Sequence, residues 1–292
     1  MASLGLVAAG CSADTGGEPE STTAAPTATS STAGPSIPRP EPSPIPTPKP
    51  AKPVRGLKGN TSNAIAYAPL SNPDDITVEG SVPSSRAWST SKVLVVLAFI
   101  DTVADGNPDN LSAHWKARIK SALTASDMNA LLQIRAAIPG GSGTPMTGIL
   151  RSIGDTETSA PDSSEGSMQW SIRNQIRFMA ALYNGEVVSK KASRYVLGEM
   201  HPIKAHSWGL GTIGASAFKG GWLEPYTETR QMGILGDYAV AIITAGVGPA
   251  ELQTDGDWAH VRQMNKLAKI LKAQVDAASV RSTVEQNAPR SR

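Results

Sequence analysis

Ser89-Thr90-Ser91-Lys92 places a hydroxyl and an amine three positions apart, just ahead of the apolar run Val93–Ile100. On helical backbone, residues three apart share a face, so Ser89 Oγ and Lys92 Nζ can approach to hydrogen-bond distance. A serine hydroxyl is a weak nucleophile until a base takes its proton, and a lysine is that base only where burial or a neighbouring cation lowers its pKa. The spacing alone is unselective, since Ser216 and Lys219 repeat it. Two further groups give it meaning. Ser126-Asp127-Met128 heads a predicted helix, and Lys219-Gly220-Gly221-Trp222 falls on a predicted strand whose glycines admit close backbone approach. A serine beside a base is the pairing that acyl transfer through a covalent intermediate uses.

These groups must be positioned by the surrounding elements. Asn63–Ala68 and Asp75–Gly80 are short runs bounded by Ser, Asn, Pro and Gly, and are predicted strands. From Ser89 to Met200 the period is helical: Leu111, Trp115, Ile119 and Leu123 recur at four, and Ile172, Ile176, Met179 and Tyr183 at three or four. Asp127–Ile138 is a third helix, whereas 140–166, rich in Gly, Ser, Thr and Pro, is expected to be loop with one short apolar element at Ile149-Leu150. Apolar runs then return at Ala215–Lys219, Thr229–Leu235 and Tyr238–Ala245, the last two parted by Gly236-Asp237 as in a hairpin. A closing helix spans about Asp257–Ala277, with Trp258, Val261, Met264, Leu267, Ile270 and Leu271 inward and Arg262, Lys266, Lys269 and Lys272 outward. His260 is expected at the surface, and Trp88, Trp170 and Trp208 in the core. Strands, helices, strands and a last helix define an α+β plan: an antiparallel sheet, a terminal helix packed on it, and an inserted helical lobe.

Taken in order, the three groups resemble the Ser-x-x-Lys, Ser-Asp-Asn and Lys-Thr-Gly motifs of penicillin-binding proteins and serine β-lactamases, class A in particular. The resemblance covers about Asn63–Ala277 and implies that family's β-lactamase/DD-peptidase-like fold. It makes Ser89 the nucleophile, Lys92 its base, Ser126 a proton shuttle and Lys219 a cation beside the shuttle. Ser89 and Trp222 would supply the oxyanion N–H groups, with Gly221 between them and Lys219 on the strand. Arg230, on the next strand, becomes a candidate partner for a substrate carboxylate. The implied substrates are D-alanyl peptides of peptidoglycan, β-lactams or related small amides and esters. Departures accompany the match. Met128 replaces an amide, Gly220 replaces a hydroxyl residue that binds the carboxylate, and the loop Thr156–Gln169 offers Glu157 and Glu165 without the Glu-x-x-Leu-Asn setting of class A enzymes. The alternative they favour is a non-catalytic lipoprotein that keeps the fold as a binding or scaffolding module.

The rest of the chain suits an envelope protein. Eleven of the 22 prolines lie between Glu18 and Pro53, among Ser, Thr and Ala with no aromatic residue, so residues 12–53 are expected to be a disordered linker. Extended at roughly 3 Å per residue, it would reach on the order of 100 Å. Ahead of it, Leu6–Gly10 followed by Cys11 resembles a lipobox, although no Lys or Arg precedes it. Residues 1–11 are therefore expected to be the remnant of a lipoprotein signal, with Cys11 the lipid anchor on the outer face of the cell membrane. One domain over 54–279 and a disordered tail over 280–292 complete the division. The longest apolar run, eight residues, is far short of the roughly 20 that span a bilayer. A single cysteine and four histidines without a His-x-x-x-His pair give no support to a metal site, no cofactor is implied, and a net charge of +2 argues against nucleic acid.

Overall fold

The computed structural model describes residues 56–223, 226–247 and 258–287, with side chains given for all but Trp258 and residues 282–287. All of these belong to the second of the chain's two units, residues 52–292. Cys11 and the proline-rich linker lie outside the described residues.

Five strands, β1 (Asn63–Pro69), β2 (Thr77–Ser81), β3 (Ala217–Gly221), β4 (Thr229–Leu235) and β5 (Tyr238–Thr244), form one antiparallel sheet in the order β2-β1-β5-β4-β3. The hairpin at Gly236-Asp237 is present: Leu235 pairs with Tyr238, and Gly236 takes φ +55°, as a two-residue turn requires. Strand alternation sorts the side chains onto two cores. Ile65, Tyr67, Val240 and Ile242 face the terminal helix α7 (Trp258–Asn287), while Ala66, Ala68, Ala239, Ala241 and Met232 face the helical lobe. Both sheet faces are covered, so β4 and β5 are buried along their whole length.

The lobe is built on α1 (Ser91–Val103), of which Ser91 to Ile100 are all buried. A helix apolar on every side can only be the centre of a bundle, and that explains the uninterrupted run Val93–Ile100. Around it lie α2 (Ala113–Thr124), α3 (Met128–Ala136), α4 (Gly143–Ser152), α5 (Ile172–Asn184) and α6 (Lys190–Glu199).

Three differences from the sequence reading have local causes. The expected loop at 140–166 contains α4, which starts with Pro145 in its first turn and with Asp162 Oδ1 accepting from Gly143 N at 2.8 Å; Met146, Ile149 and Leu150 are its buried stripe. Helix α7 continues to Asn287, through part of the segment expected to be a disordered tail. His260 is buried rather than on the surface, with Nδ1 2.6 Å from Thr229 Oγ1. It lies four residues before Met264, on the same inward stripe as Leu267 and Leu271. The outward lysines of α7 are exposed, and Trp88, Trp170 and Trp208 are buried.

Candidate active site

Ser89 lies in a 3-10 turn, Trp88–Thr90, that runs directly into α1. Trp88 has φ +46°, a left-handed conformation that a large side chain adopts only when its surroundings enforce it. The enforcement is visible. Ser91 Oγ donates to Trp88 O at 2.6 Å, Ala87 N donates to Met168 O at 2.9 Å, and the Trp88 ring lies 4.8 Å from that of Tyr226. Ser89 is half-buried at a cavity of about 470 Å³, the size of a small-molecule site, and its hydroxyl has no hydrogen-bond partner among the described residues.

Lys92 lines the same cavity at 1% exposure. Its Nζ lies 3.9 Å from Met128 Sδ, a weak acceptor. Burial pulls its pKa down to about 8, against the pull of Glu165 and Asp127 toward the charged form. The neutral form that a base requires is therefore reached more readily than by an ordinary lysine, at about a tenth of the molecules at pH 7. The expected Ser89–Lys92 hydrogen bond is not formed; the two groups share the cavity instead.

The dipeptide Ser126-Asp127 divides its work. Asp127 caps α3, its carboxylate accepting from Ala130 N at 3.0 Å and from Ser121 Oγ at 2.7 Å, and these bonds hold its pKa below the usual carboxylate range. Ser126, at φ +57°, is turned out of the helix and accepts a hydrogen bond from Lys219 Nζ, which also donates to Gly220 O at 2.9 Å. Lys219 is fully buried, and burial followed by the charge of Lys92 holds its pKa well below the ordinary range. Neither Ser126 nor Lys219 lines the cavity. They stand close enough for the two lysines to feel each other, and β3 carries the link onward into the cavity wall at Trp222.

Gly221 is where strand and nucleophile meet. A Cβ there would lie 2.8 Å from Ser89 N and 2.9 Å from Ala87 O, so only glycine lets β3 press against the backbone of Ser89. At Gly220 the nearest atoms would be 3.4 Å away, in ordinary contact with Trp222 and Trp208.

Arg230 is not a cleft residue, contrary to the sequence expectation. It is fully buried, and its guanidinium donates to Ser85 O, Arg86 O, Trp170 O and Gln175 Oε1 at 2.5–2.9 Å. Burial lowers its pKa to about 9 while Glu228 opposes the shift, so it remains a cation at pH 7. Gln175 passes the connection on to Thr90 Oγ1 at 2.9 Å. One side chain thus ties the segment before Ser89 to the end of the 165–170 loop and to α5.

Glu165 joins the site, although its motif did not announce it. It is buried in the cavity wall, and its Oε2 pairs with Arg135 at 2.7 Å. Met168 and Gln169 follow it where the family setting has Leu and Asn, a likeness hidden by two changes of side-chain type. Gln169 is committed elsewhere, accepting from Ser85 N at 3.1 Å. His206 was also missed. Its ring packs edge-on to Trp222, and burial, then the charge of Lys219, lowers its pKa to about 4 against a hydrogen bond to the Thr124 backbone, leaving it neutral. Nothing in its sequence context marked it. Among the described residues no cluster of His, Cys, Asp and Glu could hold a metal ion, and no helix is long and apolar enough to cross a membrane.

This architecture is shared with solved structures. The TLA-3 extended-spectrum β-lactamase matches with TM-score 0.56 and 17% identity, over 76% of this chain and 95% of its own. A variant of the last common ancestor of Gram-negative bacterial class A β-lactamases gives 0.55 and 15%, over 76% and 94%. The chromosome-encoded β-lactamase of Vibrio parahaemolyticus gives 0.54 and 13%, over 73% and 93%. No protein-family model and no curated protein matches the sequence. The chain therefore has the fold of the class A serine β-lactamases, an α+β sheet with a packed terminal helix and a helical lobe.

Proposed function

We propose that this protein is an extracytoplasmic serine hydrolase that works through an acyl-enzyme on Ser89. The observation that carries the reading is a buried lysine, Lys92, in the same cavity as the Ser89 hydroxyl, which has no hydrogen-bond partner among the described residues; burial lowers the lysine's pKa toward that of a base. Neutral Lys92 takes the proton of Ser89 Oγ as the oxygen attacks a carbonyl carbon. The oxyanion forms between the N–H groups of Ser89 and Trp222, whose backbones Gly221 brings together. The proton taken by Lys92 then passes to the leaving group, with Ser126, held by Lys219 behind the cavity wall, as the shuttle that gives one proton and regains another. Glu165, with Oε2 on Arg135, is the carboxylate in the cavity available to activate water for the second step.

Cys11 as lipid anchor, with residues 12–53 as linker, completes this reading by keeping the domain outside the membrane. The second reading, a scaffold on the same fold, draws on Met128 Sδ beside Lys92 Nζ, where the family has a substrate-binding amide. Labelling separates the two. A fluorescent penicillin or a general fluorophosphonate should label the wild type covalently, and Ser89→Ala should abolish the label. If neither probe labels the wild type, the hydrolase reading is overturned.

A further inference from the structure

Eight large hydrophobic side chains are strongly exposed among the described residues, and four of them surround the Ser89 cavity. Met128 and Leu132, one turn apart on α3, are 51% and 40% exposed; Leu223 and Tyr226, which line the same cavity, are 46% and 41% exposed. Trp88 and Trp222 continue this apolar lining inward. Exposed apolar surface gathered at a concave site marks what the site binds.

The charges around the cavity give the complementary information. Arg86 pairs with Glu228 at 2.9 Å while lying 4.7 Å above the Tyr226 ring, and Arg135 pairs with Glu165. Lys92 is the third cation of the lining, and it must be neutral to act as a base. Arg230 is taken up by carbonyl groups, and Gly220 offers no hydroxyl. Of the cations among the described lining residues, Arg86 and Arg135 are already paired, and a substrate carboxylate that held Lys92 charged would block the base; its desolvation in this apolar mouth would also be unfavourable.

Resting on the acyl-transfer reading above, we infer that the preferred substrates are uncharged esters with an extended apolar acyl chain, seated against Met128 and Leu132 of α3 and against Trp222, Leu223 and Tyr226. In the first step a bond forms between Ser89 Oγ and the acyl carbon, the bond to the alkoxy oxygen breaks, and the serine proton leaves with the alcohol. Water then releases the carboxylic acid and restores the hydroxyl.

Steady-state hydrolysis of p-nitrophenyl esters from acetate to octanoate tests this. Each added methylene buried in the mouth should raise kcat/KM by up to about fourfold. The p-nitrophenyl monoester of glutaric acid should be at least about tenfold slower than the valerate, a difference of one decade that corresponds to a single unfavourable polar burial. Leu132→Asp and Leu223→Ser should each flatten the chain-length series. A flat or falling series, or preference for the glutarate, overturns the inference if the fluorophosphonate still labels Ser89. Loss of labelling in the wild type instead overturns the hydrolase reading on which it rests.

Discussion

Two buried cationic centres lie within the same domain and are treated in opposite ways. Arg230 sits beneath the Ser89 turn with four oxygen acceptors around its guanidinium. Lys92, almost as deeply buried, has a thioether at 3.9 Å as its side-chain hydrogen-bond partner among the described residues, and Lys219 has a hydroxyl and one carbonyl. Burial lowers the pKa of both, but Arg230 starts higher and has its lost water replaced by hydrogen bonds, so it stays a cation at pH 7, whereas Lys92 with few acceptors comes within reach of neutrality. The planar fork of arginine suits the first arrangement, and the easily shifted ammonium of lysine suits the second. Arg230 holds parts together, whereas the lysines are left able to exchange protons.

The contrast predicts opposite costs for matched substitutions. Lys92→Met should lower the rate of acylation by about 10²–10⁴-fold, as expected for loss of a general base, without lowering Tm. A lowered Tm comparable to that of Arg230→Met would break the distinction. Arg230→Met leaves four acceptors facing an apolar side chain and should cost about 3–5 kcal/mol of stability, measurable by denaturant titration. Next in size, Gly221→Ala would force a Cβ to within 2.8 Å of Ser89 N, and kcat should fall by about a hundredfold, as when an oxyanion donor is displaced.

The pH profile gives a smaller and more specific signature. Because Lys92 acts when neutral and titrates at about 8, kcat/KM should rise about tenfold per unit below pH 8 and level off above it. The stability sign is also defined. The folded pKa lies below the unfolded value of 10.5, so the unfolded chain binds the extra proton between the two. The cost of burying Lys92 is therefore full below pH 8 and fades as pH rises toward 10.5. Lys92→Met should remove that slope, which paired denaturation curves at pH 7 and pH 10 would reveal. Smallest of all, Gly220→Ala should change Tm and kcat only slightly, because its Cβ would meet nothing closer than 3.4 Å.

Local chemistry was legible wherever local geometry decides. Period and turn residues marked β1, the Gly236-Asp237 hairpin and the inward stripe of α7, because alternation and helical spacing depend on neighbours in the chain. Helix α4 was less so: Gly and Ser obscured the spacing of Met146, Ile149 and Leu150, and its first N–H is satisfied by Asp162, distant in sequence. His260 fell on a readable stripe but was expected at the surface; in the fold it is buried, with Nδ1 2.6 Å from Thr229 Oγ1 on β4, a residue distant in sequence. Ser126-Asp127 heads α3 as its sequence predicts, but the division of work within the pair depends on the fold. Asp127 is the cap, and Ser126 is the partner of Lys219.

The sequence by itself determined which side chains could do chemistry, and it brought Ser89 and Lys92 onto neighbouring turns, because the 3-10 turn at Ser89 runs straight into α1 and keeps residues three apart on one side. Tertiary structure alone decided which cations are available. Strand alternation gives Arg230 one of two faces, but which face meets solvent depends on what covers the sheet. Here the Ser89 turn, the 165–170 loop and α5 cover it, and their carbonyl and amide oxygens take up the guanidinium. The same packing buries Lys92 and Lys219 with few acceptors, so an ordinary pair of lysines becomes a pair with lowered pKa values.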